Sequence, residues 1–140
     1  MFQWPVAAVL AASLLTSAAW AETVQLHATL TGSSEVPPND SKGTGTCNAT
    51  LDTASRKLDY MVTYSGLTGP ATGAHFHGPA DPGTNAPIVV PFAPPASPIK
   101  GSATLTDTQE RDLLAGKWYV NVHTEAHPGG EIRGQLVRAP

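Results

Sequence analysis

Trp118-Tyr119-Val120-Asn121-Val122-His123-Thr124 and Glu131-Ile132-Arg133-Gly134-Gln135-Leu136-Val137 stand on either side of the break His127-Pro128-Gly129-Gly130, and both segments alternate. Successive side chains of a strand point to opposite faces, so alternation marks a strand with one face on a core. In the first segment Trp118, Val120 and Val122 form the apolar row, which leaves Tyr119, Asn121 and His123 on the other face. Two such strands across a glycine-rich loop predict a hairpin that closes the domain.

Working back from this hairpin, the chain reads as more short strands separated by Gly, Pro and Ser clusters. Thr23–Thr31 carries Val24, Leu26, Ala28 and Leu30 in one row. Residues 43–51 and 57–64 flank Asp52-Thr53-Ala54-Ser55-Arg56, a turn-forming stretch, and predict a second hairpin with Leu58, Tyr60, Val62 and Tyr64 sharing a face. Further strands are expected at residues 71–77, 88–92 and 99–105. Seven prolines between His77 and Ile99 (Pro79, Pro82, Pro87, Pro91, Pro94, Pro95 and Pro98) restrict that region to loop and edge strand, because proline donates no ladder hydrogen bond. Thr106-Asp107-Thr108-Gln109 fits a capping box, with a short helix to Leu114 stopped by Gly116. The pattern predicts an all-β antiparallel sandwich with one short helix near residues 107–115.

The other end of the chain has a different character. Residues 6–15 are apolar except for Ser13, and Ala19-Trp20-Ala21 places small residues where a signal peptidase inspects them. A signal peptide over residues 1–21 and a mature domain over 22–140 are therefore expected, with a secreted or periplasmic location. No Lys or Arg precedes the run, so the α-amino group serves as its positive end. The run falls short of the roughly 20 apolar residues that span a bilayer, and no membrane association is expected after cleavage. The net charge is −3 and the eight basic residues are scattered, which excludes a nucleic-acid binder of the basic-face type. Cys47 is the single cysteine and cannot form an internal disulfide. It reads as a small buried hydrophobe, with metal ligation or an intermolecular bridge as alternatives. Asn48-Ala49-Thr50 is formally a glycosylation acceptor.

Five histidines are the chemical anomaly of a chain with only 14% charged residues. In His75-Phe76-His77 the two imidazoles share a face, with Ala74 and Phe76 on the opposite one. His123 stands in the same relation to its own apolar row. If the two strands are neighbours, the three rings share a surface and converge on one ion. His127, at the start of the closing loop, is a candidate fourth ligand, whereas His27 reads as a surface residue. Imidazole ligation suits copper, with zinc as the alternative, rather than calcium or magnesium. The proline-rich loop after His77 is expected to wall the site, and Glu131, Glu125 and Asp81 are candidates to orient the imidazoles. No Gly-x-Ser-x-Gly elbow, phosphate-cradling glycine loop or distinctive carboxylate pair is present, so no metal-free catalytic residue is assigned.

Ala74-His75-Phe76-His77-Gly78-Pro79-Ala80, Tyr119-Val120-Asn121-Val122-His123-Thr124 and Gly130-Glu131-Ile132-Arg133-Gly134-Gln135-Leu136 resemble the motifs of CHRD (chordin-domain) proteins. Ala28-Thr29-Leu30-Thr31-Gly32 with Glu35-Val36-Pro37-Pro38, and residues 58–66, also fit that family. The resemblance implies a Greek-key β-sandwich of immunoglobulin-like or copper–zinc superoxide dismutase-like type, in an extracellular or periplasmic protein. It carries His75, His77, His123, Glu131 and Arg133 onto motif positions, but does not settle a function. The His-x-His strand with a later strand histidine is also similar to copper ligation in copper–zinc superoxide dismutases, although that family's zinc loop and disulfide are not recognisable here. Three readings follow: an exported copper-binding protein using His75, His77, His123 and optionally His127; a metal-free module that binds another extracytoplasmic protein; and a copper-dependent redox enzyme. Glu131 and Arg133 are expected to form an exposed cross-strand ion pair, which contributes about 0–1 kcal/mol.

Overall fold

A computed structural model describes Met1 and residues 20–140. The apolar run at residues 6–15 and Ala19, on which the expected signal peptide rests, lie outside the described residues. Eight strands make the fold among the described residues: β1 (Thr23–Thr31), β2 (Thr44–Asp52), β3 (Lys57–Ser65), β4 (Ala71–His77), β5 (Ile88–Pro91), β6 (Ile99–Thr104), β7 (Trp118–Thr124) and β8 (Ile132–Arg138). They join in one antiparallel sheet ordered β5-β4-β7-β8-β1-β2-β3-β6. The sheet folds over on itself. Tyr60 of β3 meets Phe76 of β4 edge-on at 5.1 Å between ring centroids, although their strands lie near opposite ends of the order. The half β5-β4-β7-β8 thus faces the half β1-β2-β3-β6 across a single core, as a sandwich continuous through β8 and β1. The connections after β3, β5 and β6 cross between the halves, as Greek-key chains do.

The rows read from sequence are the rows that fill this core. Val24, Leu26, Ala28 and Leu30 of β1 are buried, as are Leu58 and Val62 of β3, Ala74 and Phe76 of β4, and Trp118, Val120 and Val122 of β7. Cys47 is buried among them, as a small hydrophobe would be, and burial pushes its thiol up to about 12. Strands β2 and β3 pair residue for residue from Thr44–Ser65 to Asp52–Lys57. Their turn is closed by Asp52 Oδ1, which accepts from the backbone N–H groups of Ala54 (2.8 Å) and Ser55 (3.2 Å). The short helix α1 (Asp107–Leu114) has the expected box: Gln109 N donates to Thr106 Oγ1 at 3.1 Å, and Thr106 N donates to Gln109 Oε1 at 2.9 Å. Strand β5 ends at Pro91 on the sheet edge, where a missing donor costs least.

Sheets of this kind often leave one face wet, yet β7 is buried on both faces. The loop of residues 78–87 folds back over the outer face of β7 and β8. Arg133 donates to Asn85 Oδ1 (2.9 Å) and to the Thr84 carbonyl (2.6 Å), and Gln135 Nε2 donates to the Ala80 carbonyl (2.8 Å). This second, polar layer contains the candidate site.

Candidate metal centre

Strands β4 and β7 are neighbours, and their register sets Gly73 opposite His123, His75 opposite Asn121 and His77 opposite Tyr119. His75 and His123 are therefore diagonal rather than facing. Gly73 makes the diagonal close: a Cβ there would lie 3.4 Å from His75 Cε1, in the space the ring uses to lean across. Ring centroids are 4.9 Å apart for His75 and His123, 5.3 Å for His75 and His77, and 6.3 Å for His77 and His123. One nitrogen from each of the three imidazoles lies within 4.8 Å of the others. His75 Nδ1 and His123 Nε2 are 3.2 Å apart.

The rings are held from behind. His77 Nδ1 donates to the Ala86 carbonyl at 2.9 Å, and His123 Nδ1 donates to the Pro128 carbonyl at 2.9 Å. Each fixes a tautomer with Nε2 facing the cluster. His77 also stacks on Tyr119, with centroids 4.7 Å apart and planes 3° from parallel, and the Arg133 guanidinium caps the far face of that ring at 3.5 Å. The proline-rich loop thus walls the site, as expected, through Thr84, Asn85 and Ala86. Burial, then the charges of His123 and His77, push His75 down to about 4. Burial likewise pushes His77 down, reinforced by His123 and Arg133 and opposed by its bonds to Ala86 and Asn121. Neutral imidazole is the form that binds a metal.

Several expectations need correction. His127 is not brought to the other three. Its backbone exchanges hydrogen bonds with Thr124 (3.2 and 3.3 Å) in a tight turn, and the residue lines a separate cleft with Glu35 and residues 36–39. The imidazoles are oriented by backbone carbonyls and not by Glu131, Glu125 or Asp81; Asp81 pairs with Lys117 instead. Glu131 and Arg133 are buried rather than exposed and form no ion pair with each other. Glu131 accepts from the Ser41 hydroxyl (2.7 Å), the Thr124 hydroxyl (2.8 Å), and both the hydroxyl and the backbone N–H of Thr68 (2.5 and 3.0 Å). The reason is the covering loop, which converts the outer face of β7 and β8 from a wet surface into a second interior.

Two residues in this interior carried no assignment from sequence. Asn121 Oδ1 lies 2.9 Å from both His77 Nε2 and His123 Nε2. Its position was legible, since the parity that places His123 on the outer face places Asn121 there too. Glu35 lies four residues after β1 but far from β7 in sequence, and no periodicity links the two. Its carboxyl is buried beside the Asn121 amide. Burial pushes this carboxyl up to about 7, against the charge of Arg133, the Asn121 amide and the Val36 N–H.

No curated protein and no solved structure matches the chain. The segments that meet at the cluster, Glu35 after β1, the His-x-His end of β4, and the β7–β8 hairpin, are the same stretches whose wording resembled one family. The model of the CHRD domain matches residues 26–136, a span that contains all of them, and the chain belongs to the CHRD family.

Proposed function

We propose that this CHRD domain works outside the cytoplasm as a metal-binding protein that holds a copper ion on His75, His77 and His123. The observation that carries the reading is the approach of three imidazole nitrogens to within 4.8 Å of one another, from strands separated by more than 40 residues of chain. Three features support it. Two of the rings have their Nδ1 protons committed to backbone carbonyls, so they present lone pairs. Burial favours the neutral form of His75 and His77. Nitrogen donors bind copper(II) more tightly than the other common divalent ions of its row, zinc included. The apolar leader at residues 6–15 supports export, where such an ion would be met.

Titration of the purified protein with Cu(II) tests this. The expected result is one ion per chain, lost when His75, His77 and His123 are all replaced by Ala. Unchanged stoichiometry and affinity in that triple variant would refute the assignment, and a partner protein retained from the native compartment by the triple variant would favour an interaction module instead.

A further inference from the structure

The protons around the cluster can be placed one by one. A carbonyl oxygen only accepts, so the Nδ1 atoms of His77 and His123 carry the hydrogens that bond to Ala86 and Pro128. In a neutral ring the other nitrogen is then a bare lone pair. Both Nε2 atoms point at Asn121 Oδ1, 2.9 Å from each, and an amide oxygen has only lone pairs to offer. Acceptors gathered in this way repel one another, and a cation is what such a set stabilises.

The spacing is equally informative. Two donors bound at 2.0–2.1 Å to one ion lie about 2.9 Å apart at a right angle and about 3.4 Å apart at the tetrahedral angle. Asn121 Oδ1 stands at the right-angle spacing from both Nε2 atoms, and His75 Nδ1 is 3.2 Å from His123 Nε2.

An amide can present either end, so something must select the oxygen. Glu35 stands where it can do so. Its buried carboxyl lies beside the Asn121 amide, and its Oε1 has no hydrogen-bond partner among the described residues. The lone pairs of a carboxyl oxygen attract the NH2 end of an amide and repel its oxygen. Gly130 allows the approach: its φ is 123°, and a Cβ there would press on Glu35 Oε1 and lie 2.8 Å from Asn121 Nδ2.

We propose that Asn121 Oδ1 is a fourth donor to the ion held by His75, His77 and His123, and that Glu35 is the positioning residue that turns the Asn121 amide so that its oxygen faces the imidazoles. This rests on the reading of the three histidines as ligands. It replaces the loop histidine, His127, with a strand amide, and it makes the donor set three nitrogens and one oxygen.

The test uses the whole chain, grown with ¹³C-labelled asparagine, loaded with one equivalent of Cu(II) and measured by pulsed electron–nuclear double resonance. A ¹³C coupling from a ligated amide is expected in the wild type. It should vanish in Asn121→Ala, with copper affinity falling at least about tenfold. Glu35→Ala should also abolish it, while Glu35→Gln, which keeps a carbonyl oxygen beside Asn121 Nδ2, should restore it. The wild-type spectrum does not depend on whether any variant folds. A wild type that binds copper through the histidines without ¹³C coupling overturns the fourth donor and leaves the three-histidine reading standing. Coupling that survives Glu35→Ala overturns the role of Glu35, and a wild type that binds no copper removes both readings.

Discussion

Glu131 shows how a single buried carboxylate is made tolerable. Burial works against its charge, but the Thr68, Ser41 and Thr124 hydroxyls and the Thr68 backbone N–H hold its carboxyl below the usual value of 4.5. A carboxyl whose folded value is depressed stabilises the fold above the unfolded value, and this contribution is lost as pH falls through the folded one. His75, lowered from 6.5 to about 4, obeys the same sign in a higher window: stability declines as pH drops from 6.5 towards 4. Urea unfolding of metal-free wild type and Glu131→Gln from pH 7 to pH 3 separates the two. The difference between the curves should be constant above pH 4.5 and shrink below it; a difference that stays constant or grows between pH 4.5 and pH 3 would contradict the assigned partners. At this scale, residue type was legible and residue environment was not. Glu131 and Arg133 read as a surface pair because nothing in a terminal strand's alternation announces that a loop from residues 78–87 will cover it.

Among the elements, β8 is the most constrained, since it joins the two halves of the sheet. Arg133 pairs with Thr31 of β1, and at the next position Gly134 has no room for a side chain. A Cβ on Gly134 would collide with the Thr29 carbonyl, a backbone atom that cannot swing aside. Gly134→Ala should therefore destabilise the domain by about 1–3 kcal/mol, as overpacking does, read as a lower urea midpoint at an unchanged slope. A variant as stable as the wild type would show that β1 and β8 separate easily. Strand existence and facing were readable because side-chain parity is local: His75, His77 and His123 occupy the faces that alternation assigned them. Register was not readable. That His123 would stand opposite Gly73, with Asn121 opposite His75, depends on how two strands slide past each other, and a local pattern repeats every two residues.

For the molecule as a whole, a ligand that binds only the folded state must raise its melting temperature. Free copper at 100 times its dissociation constant adds about 2.7 kcal/mol, which corresponds to roughly 10 °C for a domain of this size. That rise is expected in thermal melts of the wild type and should be absent from the variant in which His75, His77 and His123 are Ala. An equal rise in both would place the copper elsewhere.

The sequence by itself determined the class of fold, the rows that form its core and the faces on which His75, His77 and His123 stand, because alternation, proline and glycine act through covalent geometry within a few residues. Only the tertiary structure decided which strands are neighbours, that residues 78–87 close over the outer face of β7, and that Glu35 lies behind Asn121. Those relations depend on contacts between distant segments, where burial and hydrogen bonding are set by packing across the whole chain. The same physics explains the exclusion of His127, whose place in the sequence suits a ligand but whose turn faces another cleft.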